Sequence, residues 1–384
     1  GGSVAFGTNF GIARINADGS TNSFGGAVTN VFALVVDNNV NPLFATNVGK
    51  IVIGGDFTRV GGTTVNRLAR LLPDGTFDAS FGSNTNGGIN GDVSAVAVQP
   101  DGKVIVGGNF TTAAGQAANN LARLNPNGTF DSSFSLGSGL NGTVRSIHIQ
   151  ADEKIVIGGD FTDVNGLSFN RLVRLNQNGT VDTGFAYESG ANGSITVIVA
   201  DGSDILVGGS FGGPSFGPGI TNRTRINGVA TLETRLDHGL DPGDIVVIAS
   251  GDPAYDGTAT LTAASGRSFS YVNTGTNQTD MAIVPIGYVG LANRPVNRIA
   301  RLSGSTGRMV DSFSDQVAGG PNGSVNAIVV DSGKVVIGGD FSGRGFGAVI
   351  TNALVGGGTA TLTTAQPHGL VAGSLVEISN VGSG

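Results

Sequence analysis

A short apolar strand that ends in a Gly-Gly pair and a phenylalanine recurs along this chain. The clearest copy reads K-V-I-V-G-G-N-F and runs from Lys103 to Phe110. Further copies span Ile51 to Phe57, Ile155 to Phe161, Ile205 to Phe211 and Val335 to Phe341. Self-similarity at a regular spacing is typical of repeat architectures, so the repeat is the unit in which the chain is best interpreted.

Each repeat holds four segments separated by turn residues. In the clearest repeat they are Val93 to Val98, Lys103 to Phe110, Asn120 to Leu124 and Thr129 to Phe134. Asp-Gly between the first two segments and Asn-Gly between the last two supply the positive φ that tight hairpins need. Four short antiparallel strands, repeated about every fifty residues, predict a β-propeller blade.

The second segment of each repeat is a nearly continuous apolar run, which predicts a strand with both faces covered. Stacking of one blade on the next would cover them. We therefore assign the phenylalanine after each Gly-Gly pair to packing between blades, and likewise the one that closes each fourth segment (Phe81, Phe134, Phe185 and Phe313). The paired glycines either allow close approach of neighbouring backbone or mark a β-bulge.

The regular pattern breaks after Phe211, and the next third segment appears only at Asn297 to Leu302. The intervening stretch alternates apolar residues with Gly, Pro and Asp turns, which predicts a small all-β module. A second such stretch follows the next blade, where His368 stands 130 positions after His238. Blade plus module is therefore itself a repeat.

These boundaries predict propeller blades at 1–213, an inserted module at 214–292, a further blade at 293–346 and the start of a second module at 347–384. The expected fold is all-β: a β-propeller-like array of four-stranded blades, with small β-modules inserted between strands of particular blades. Because the second module stops partway at Gly384, we expect the sequence to be part of a longer protein.

Composition narrows the classes of function. The 384 residues include 66 glycines and no cysteine, which excludes disulfides, thiolate metal sites and cysteine nucleophiles. The formal net charge is −7 and only four residues are lysines, so no basic stripe exists for a phosphate backbone and nucleic acid is not an expected partner. No apolar run reaches membrane-spanning length, so membrane insertion is not expected.

Two resemblances follow from the motifs. The pattern N-R-L-A-R-L-x-x-D/N-G-T-x-D-x-x-F followed by D-G-K-I-x-I-G-G-D-F resembles the delta-60 repeat, a bacterial β-propeller family, over most of 1–213 and 293–346. This resemblance implies a propeller fold and a surface or secreted setting.

The inserted stretch resembles a small β-module of bacteriophage structural proteins with the signature T-x-x-x-H-G-L-x-x-G-D-x-V-x-I. The second copy departs from it, with Ser374 in place of Asp244.

The histidines favour structural roles. His148 lies on a predicted buried strand where sister repeats carry Ala97 and Val199. His238 and His368 occupy one position in two copies of the module, before Gly-Leu at a turn. A residue that recurs in every copy of a module is better explained by a turn than by a reaction, and no Ser-His-Asp or H-E-x-x-H arrangement can be assembled.

Repeated carboxylates and arginines are the remaining candidates. One set follows the Gly-Gly pairs (Asp56, Asn109, Asp160, Ser210 and Asp340), a second lies on the third segments (Arg14, Arg70, Arg123, Arg174 and Arg301), and a third follows in the closing turns (Asp78, Asp131, Asp182 and Asp311). The first two sets could form a ring of ligands for calcium or sugar, or a polar network that ties strand to strand. The third set could cap hairpins or hold calcium together with neighbouring carbonyls. We favour the network, since hydrogen-bonded buried arginines fix register, and keep calcium as the minor alternative.

The sequence therefore assigns no catalytic, cofactor-binding or metal-binding residue. The first hypothesis is a non-enzymatic structural or adhesive protein of a bacteriophage particle, a fibre or decoration component within a larger assembly. Its expected partners are other virion or surface proteins and a host-surface glycan. The second is a secreted or cell-surface bacterial propeller that binds carbohydrate or protein. The third, a propeller enzyme, would need a paired-carboxylate site that the sequence does not show.

Overall fold

A computed structural model describes residues 3–6, 12–15, 21–22, 28, 30–37, 49–82, 87–185, 190–212, 219–234, 238, 240–250, 252–281, 287–291, 298–310, 321, 323–331, 334–341, 350–356 and 359–364. Nearly all regular structure in these residues is β-strand, and one short helix accompanies the strands. Within them, no helix has the length and apolar character needed to cross a membrane.

The blades follow one another along the chain. A first sheet contains β1 (Ser3–Phe6), β2 (Ile12–Ile15) and β3 (Thr21–Asn22). Blade 1 contains β4 (Val31–Val36), β5 (Ile51–Gly55), β6 (Arg59–Val60), β7 (Thr63–Thr64), β8 (Leu68–Leu71) and α1 (Ala79–Gly82). Blade 2 contains β9 (Asp92–Val98), β10 (Val104–Asn109), β11 (Thr112–Ala113), β12 (Gln116–Ala117) and β13 (Leu121–Leu124). Blade 3 contains β14 (Val144–Ile149), β15 (Ile155–Gly159), β16 (Asp163–Val164), β17 (Leu167–Ser168) and β18 (Leu172–Leu175).

Blade 4 is interrupted by a second sheet. It begins with β19 (Ile195–Asp201) and β20 (Asp204–Gly209). The second sheet contains β21 (Gly219–Ile226), β22 (Val229–Thr234), β23 (Ile245–Ala249), β24 (Gly257–Ser265), β25 (Ser268–Val272), β26 (Gln278–Met281) and β27 (Gly287–Leu291). Blade 4 then ends with β28 (Ile299–Ser303), blade 5 contains β29 (Val325–Asp331) and β30 (Lys334–Gly339), and a last hairpin contains β31 (Ile350–Gly356) and β32 (Thr359–Thr364).

Blades 1 to 4 each form a three-stranded antiparallel sheet with the apolar strand in the middle. The predicted fourth strand is reduced to one bridge in each of these blades (Leu71↔Phe77, Leu124↔Phe130, Leu175↔Val181 and Leu302↔Met309). In blade 2 the reason is local: Oδ1 of Asp131 accepts a hydrogen bond from the backbone N–H of Ser133 at 3.0 Å. This side-chain bond bends the chain into a turn immediately after the bridge, so the strand cannot continue.

The middle strands of blades 1 to 4 are covered on both faces, as their apolar runs predict, whereas in blade 5 Val336 of β30 is 61% exposed. In β10, Val104 and Val106 share a buried cluster with Val52 of blade 1. Ile105 points to the opposite side and shares a cluster with Phe161 of blade 3. Because successive side chains of a strand alternate between its faces, one strand contributes to two interfaces and the blades are joined in series.

The two glycines of each pair have different roles. A Cβ on Gly107 would lie 2.4 Å from Cγ1 of Val144 in the next blade, so this glycine permits close packing of blades. A Cβ on Gly108 would lie 1.9 Å from the carbonyl oxygen of Asp92, at the register shift between β9 and β10. Close approach and a β-bulge, the alternatives drawn from the sequence, therefore occur side by side.

Replacing Gly107 by alanine is expected to lower the free energy of unfolding by about 1–3 kcal/mol, because the added methyl overlaps a buried, stiff valine of the next blade. The matched control is Gly338→Ala in blade 5. There the new Cβ would meet only the Cβ of Ala327, at 3.8 Å, so the cost should stay within about 0.5 kcal/mol. Urea denaturation of both variants measures the difference, and equal costs would contradict packing of Gly107 against the next blade.

The second sheet closes on itself. Its strands run in the order β22, β25, β24, β23, β27, β21 and β26, and β21 also pairs with β22. β20 pairs with β28 although the whole second sheet lies between them in the sequence, and Gly208 stands opposite Ile299. The hairpin β31–β32 repeats the register of β21–β22: Ile350 pairs with Thr364 as Ile220 pairs with Thr234, 130 positions earlier.

Candidate functional site

The blades present two faces with different chemistry. The first strand of each blade is called its inner strand. The turn face carries the turns between the inner and middle strands and the turns that follow the third strands. The hairpin face carries the short hairpins β6–β7, β11–β12 and β16–β17, which follow the middle strands. In blade 4 the closed sheet stands in the place of that hairpin, between β20 and β28. The candidate residues of the sequence therefore divide between the two faces.

On the turn face, Arg123 connects blades 2 and 3. Its side chain is buried, and its Nε donates a hydrogen bond to Oδ2 of Asp131 at 2.8 Å. Its Nη1 donates to the backbone carbonyl of Gln177 in blade 3. The guanidinium carbon lies 4.7 Å from the ring centroid of Phe134, within the range of a cation–π contact. One side chain thus holds its own blade's turn and the neighbouring blade.

The same arrangement repeats in the flanking blades. Nε of Arg70 donates to Asp78 at 2.8 Å, and its Nη1 donates to the carbonyl of Pro126 in blade 2 at 2.6 Å. Arg174 bonds Asp182 at 2.8 Å and the carbonyl of Gly304, which follows β28 of blade 4. These arginines are the buried cations of the turn face and form the polar network that the sequence favours over a ligand ring.

The aspartates of this network are surrounded by donors. Asp131 accepts hydrogen bonds from the hydroxyl and N–H of Ser133, and Nζ of Lys103 lies 3.2 Å from its Oδ2. Burial acts to raise the pKa of Asp131, but the hydrogen bonds of Ser133 and Lys103 and the charge of Arg123 outweigh it and lower the pKa to about 2. The pKa of Asp78 is lowered to about 2 in the same way, against its burial, by Ser80, Lys50 and Arg70.

Lowering the pH is expected to destabilise the blades through these aspartates. Asp78 and Asp131 have a pKa of about 2 in the folded chain, below the ordinary 3.8. The unfolded chain therefore takes up protons first, so the stability they add is complete above about pH 4 and is lost as the pH falls through about 2. Urea midpoints should decline over this range, and the decline should be shallower in Asp131→Asn. Equal declines in both proteins would contradict the assignment.

The candidate calcium ligands do not form an open site. The carboxylate oxygens of Asp78, Asp131 and Asp182 accept hydrogen bonds from lysine, arginine and turn donors. In the part of the chain that the structure describes, no group of three or more His, Asp or Glu is arranged to hold a metal ion. Arg301 bonds Asp201 of its own blade. Asp311 lies outside the described residues, and Arg14 stands opposite Val4 as Arg123 stands opposite Ile105.

A polar cavity of about 560 Å³ opens on the turn face between blades 2 and 3. Asp101, Lys103 and Arg123 line one side, and Asn176 to Asn178 line the other. Most of these side chains are already used by the fold: Asn178 accepts from Thr180, for example, and Asp101 accepts from the N–H of Lys103. The cavity is therefore lined by groups that build turns, and we assign it no ligand.

On the hairpin face, the acidic residues after the Gly-Gly pairs bind within or between neighbouring blades. Asp160 accepts from Nε and Nη2 of Arg145 at 2.8 and 2.7 Å and from the hydroxyl of Ser194 at 2.6 Å. Its burial acts to raise the pKa, but Arg145 and Ser194 outweigh it and lower the pKa. Asp56 pairs with Arg67 at 3.2 Å, and Asp340 accepts from Asn326 at 3.1 Å. Each carboxylate thus has its own partner, and the three do not converge.

One position on this face differs in every blade. It is the bulge residue of each inner strand, opposite the Gly-Gly pair: Phe32, Ser94, Arg145, Thr196 and Asn326. Phe32 is 47% exposed, although it is a large aromatic residue. The sequence interpretation missed this position. Alignment of the five inner strands on their first apolar residue would have found it, because the residue after that valine or isoleucine changes character from blade to blade.

Of the two described histidines, His238 takes part in a turn of the closed sheet. Nδ1 of His238 accepts a hydrogen bond from the N–H of Leu240 at 3.0 Å, which assigns the ring proton to Nε2. Nε2 then donates to the carbonyl of Ser268 at 3.1 Å, and the ring lies edge-on to Phe269. His238 thus holds a turn, as predicted. His148 is half-buried on β14, where burial lowers its pKa. His368 lies outside the described residues.

Comparisons with solved structures return distant likenesses. One is to PorZ, an essential bacterial surface component of the type-IX secretion system of Porphyromonas gingivalis, at 12% identity and a TM-score of 0.34, over 80% of this chain and 49% of that one. Another is to the extracellular domain of the hybrid two-component system BT4673 from B. thetaiotaomicron, at 13% identity and a TM-score of 0.32, over 91% of this chain and 37% of that one. At such TM-scores neither likeness carries an argument, and the chain spans half or less of either protein.

Sequence comparison points more directly to the blades. No curated protein matches the chain. A family model described as a domain of unknown function (DUF5122) beta-propeller matches residues 49–81, 99–134 and 150–185. Each match covers the middle and third strands of one blade, together with its network arginine and closing phenylalanine. The matches therefore support a β-propeller family for this chain.

Proposed function

We propose that this protein is a non-enzymatic scaffold of a bacteriophage particle, a fibre or decoration component that presents recognition surfaces on its hairpin face. One observation carries the proposal: the residues at equivalent positions vary more from blade to blade on one face than on the other. In blades 1 to 3 the turn face repeats the same arginine, aspartate and lysine. The hairpin face changes its bulge residue in every blade, with Phe32, Arg145 and Asn326 exposed and Ser94 and Thr196 partly buried, and it carries the closed sheet. Constancy serves packing, whereas exposed variation on a rigid scaffold serves recognition.

The resemblance of the inserted stretch to a module of bacteriophage structural proteins supports the particle setting. The chain also lacks cysteine, so it requires no oxidising compartment for disulfides. The candidate carboxylates are held by arginine, lysine and hydroxyl donors, which supports a structural role for them and not an acid–base pair. In this proposal the partners are other virion proteins and a host-surface glycan.

A second candidate is a secreted or cell-surface bacterial propeller that binds carbohydrate or protein. The resemblance to the delta-60 repeat favours it, and so does exposed Phe32, because an exposed aromatic ring suits a sugar ring. Both candidates place recognition on the same face and differ in the particle or cell that carries the scaffold.

Mass spectrometry of fractions from one source distinguishes them. Density-purified particles, the cell envelope, the medium and the soluble cell fraction are compared for peptides covering 54–70 and 280–298. A fixed ratio to a capsid or tail protein is the result expected of a virion component. Enrichment in the envelope or medium, with none in particles, would support the bacterial surface propeller instead. Confinement to the soluble cell fraction would contradict both.

A further inference from the structure

The carboxylates of Asp56 and Asp160 hold the same position in blades 1 and 3 but have different neighbours. In blade 3, Asp160 accepts hydrogen bonds from Arg145, at the bulge of β14, and from the hydroxyl of Ser194, which precedes β19 of the next blade. Both donors belong to the blades themselves. The acceptor capacity of this carboxylate is therefore used within the fold.

The two equivalent positions around Asp56 hold residues that cannot donate to it. Phe32 stands at the bulge of β4, opposite the Gly-Gly pair, as Arg145 stands at the bulge of β14. Asp92 opens β9 of the next blade, at the position that Ser194 holds before β19. A phenyl ring has no polar donor, and an ionised carboxylate only accepts. Asp56 therefore lacks both of the donors that its counterpart in blade 3 has.

An arginine brings the two carboxylates of this junction together. Nε of Arg67 lies 3.2 Å from Oδ1 of Asp56 and 3.9 Å from Oδ1 of Asp92. Among the described residues, Arg67 is the one side chain that donates to Asp56, and none donates a hydrogen bond to Asp92. Within this part of the chain, Oδ2 of Asp56 and both oxygens of Asp92 thus have acceptor capacity that the fold does not use.

The same junction holds an exposed aromatic ring. Phe32 is 47% exposed, and the side chains of Asp56 and Asp92 are 44% and 51% exposed. Arg145 and Asn326, at the same bulge position in blades 3 and 5, each bond the aspartate that follows their own Gly-Gly pair. The shared register therefore places the side chain of Phe32 beside Asp56. We call the set of Phe32, Asp56, Arg67 and Asp92 the junction site.

The chemistry of the junction site matches a neutral sugar. A phenyl ring can pack against the apolar face of a pyranose, and the carboxylate oxygens can accept hydrogen bonds from its hydroxyl groups. Arg67 already lies beside both carboxylates, so an ammonium or guanidinium ligand would meet a positive charge. The two carboxylates outnumber the one arginine, so an acidic sugar would meet a net negative charge. An uncharged ligand with several hydroxyls and an apolar face satisfies all of these conditions.

We propose that the junction site binds a neutral hexopyranose unit of a glycan, with the sugar ring stacked on Phe32 and its hydroxyls bonded to Asp56 and Asp92. This inference rests on the proposed function, in which the hairpin face recognises a glycan, and adds the site and the class of sugar. The bulge residues of blades 2 and 4 are Ser94 and Thr196, which offer no ring. In blades 3 and 5 an arginine and an asparagine already bond the neighbouring aspartate. The described blades therefore carry one such site.

Ligand-observed NMR with the full chain tests the site. The neutral probes are methyl glucoside, methyl galactoside and methyl mannoside, and the charged probes are methyl glucuronide and tetramethylammonium chloride. At least one neutral probe should bind in the millimolar range, and both charged probes should bind at least about tenfold more weakly. Equal or tighter binding of either charged probe would overturn the assignment to a neutral sugar.

Variants locate the binding. Phe32→Ala and Asp92→Asn should each weaken binding of the neutral probe by at least about tenfold. Both residues are exposed, so the thermal unfolding midpoint should stay close to that of the wild type. Phe32→Arg should abolish binding, because it supplies Asp56 with the donor that blade 3 has in Arg145. The matched control is Asn326→Ala, at the same bulge in blade 5, which should bind as the wild type does.

The site and the proposed function can fail separately. A wild type that binds no neutral probe would overturn the site, and so would binding that persists in both Phe32→Ala and Asp92→Asn. Persistent binding would leave glycan recognition in place on another surface. The scaffold role is decided by the ratio of this chain to a capsid or tail protein in purified particles, a measurement that involves none of these variants.

Discussion

Replacing Phe110 by alanine is expected to lower the free energy of unfolding by about 3–5 kcal/mol. The side chain follows the Gly-Gly pair of blade 2 and is only 3% exposed. It shares a buried cluster with Val52 and Leu68 of blade 1 and Phe81 at the end of that blade. Alanine would leave a cavity within the interface of two blades, and neither blade can cover its apolar face without the other.

The control for this prediction is Phe32→Ala in blade 1. Phe32 is the same residue type on a neighbouring strand, but it is 47% exposed at the bulge of β4. Its loss should change the free energy of unfolding by no more than about 0.5 kcal/mol. Chemical denaturation in urea, followed by circular dichroism, measures both variants. A near-neutral result for Phe110→Ala would contradict the assignment of this phenylalanine to packing between blades.

The position of Phe110 could be predicted from the sequence because its environment is encoded locally. An unbroken apolar run such as Val104 to Val106 needs cover on both faces, and the recurrence of the run supplies the neighbouring blades that provide it. The bulge could be suspected as well, since glycine weakens the interior of a strand and is typical there of a bulge or of closely approaching backbone. The repeated pattern thus indicates which residues face another blade.

The fourth strand is an element for which the local sequence pattern predicts more strand than the structure forms. Thr129 to Phe134 has the residues of a strand after a tight Asn-Gly turn, and the structure forms the first bridge of that strand, Leu124↔Phe130. Beyond it, Asp131 bonds the N–H of Ser133 and turns the chain. Strand propensity and side-chain capping compete over a few residues here, and capping prevails because the same aspartate is also held by Arg123.

Contacts between distant segments could not be predicted from the sequence, for a different reason. The recurring arginine indicated a polar network, but the acceptor of Nη1 of Arg123 is a backbone carbonyl 54 residues further on. Every residue has a carbonyl, so no residue type marks this partner. The closure of the second sheet could not be predicted for a similar reason. Alternation predicts its strands, yet the pairing of β21 with both β22 and β27 depends on twist and register, which alternation does not specify.

Replacing Arg123 by methionine is expected to lower the free energy of unfolding by about 3–5 kcal/mol, because removal of one partner leaves the other charge buried. Asp131 is 6% exposed and would retain only Lys103 and Ser133. The carbonyl of Gln177 in blade 3 would lose its donor as well. Methionine is long and apolar enough to fill the space over the ring of Phe134, so the measured loss reports mainly on the polar bonds.

Two further variants separate the bonds of Arg123 from its charge. Arg59→Met removes an exposed arginine with one bond to the carbonyl of Gly62 at 2.7 Å, and should cost no more than about 0.5 kcal/mol. Arg123→Lys keeps the charge but not the planar fork that reaches Asp131 and Gln177 together, so its cost should lie between the other two. Because Arg123 joins neighbouring blades, its loss should also reduce the urea m-value as the blades begin to unfold separately. Equal costs for Arg59→Met and Arg123→Met, with an unchanged m-value, would show that the arginine does not couple the blades.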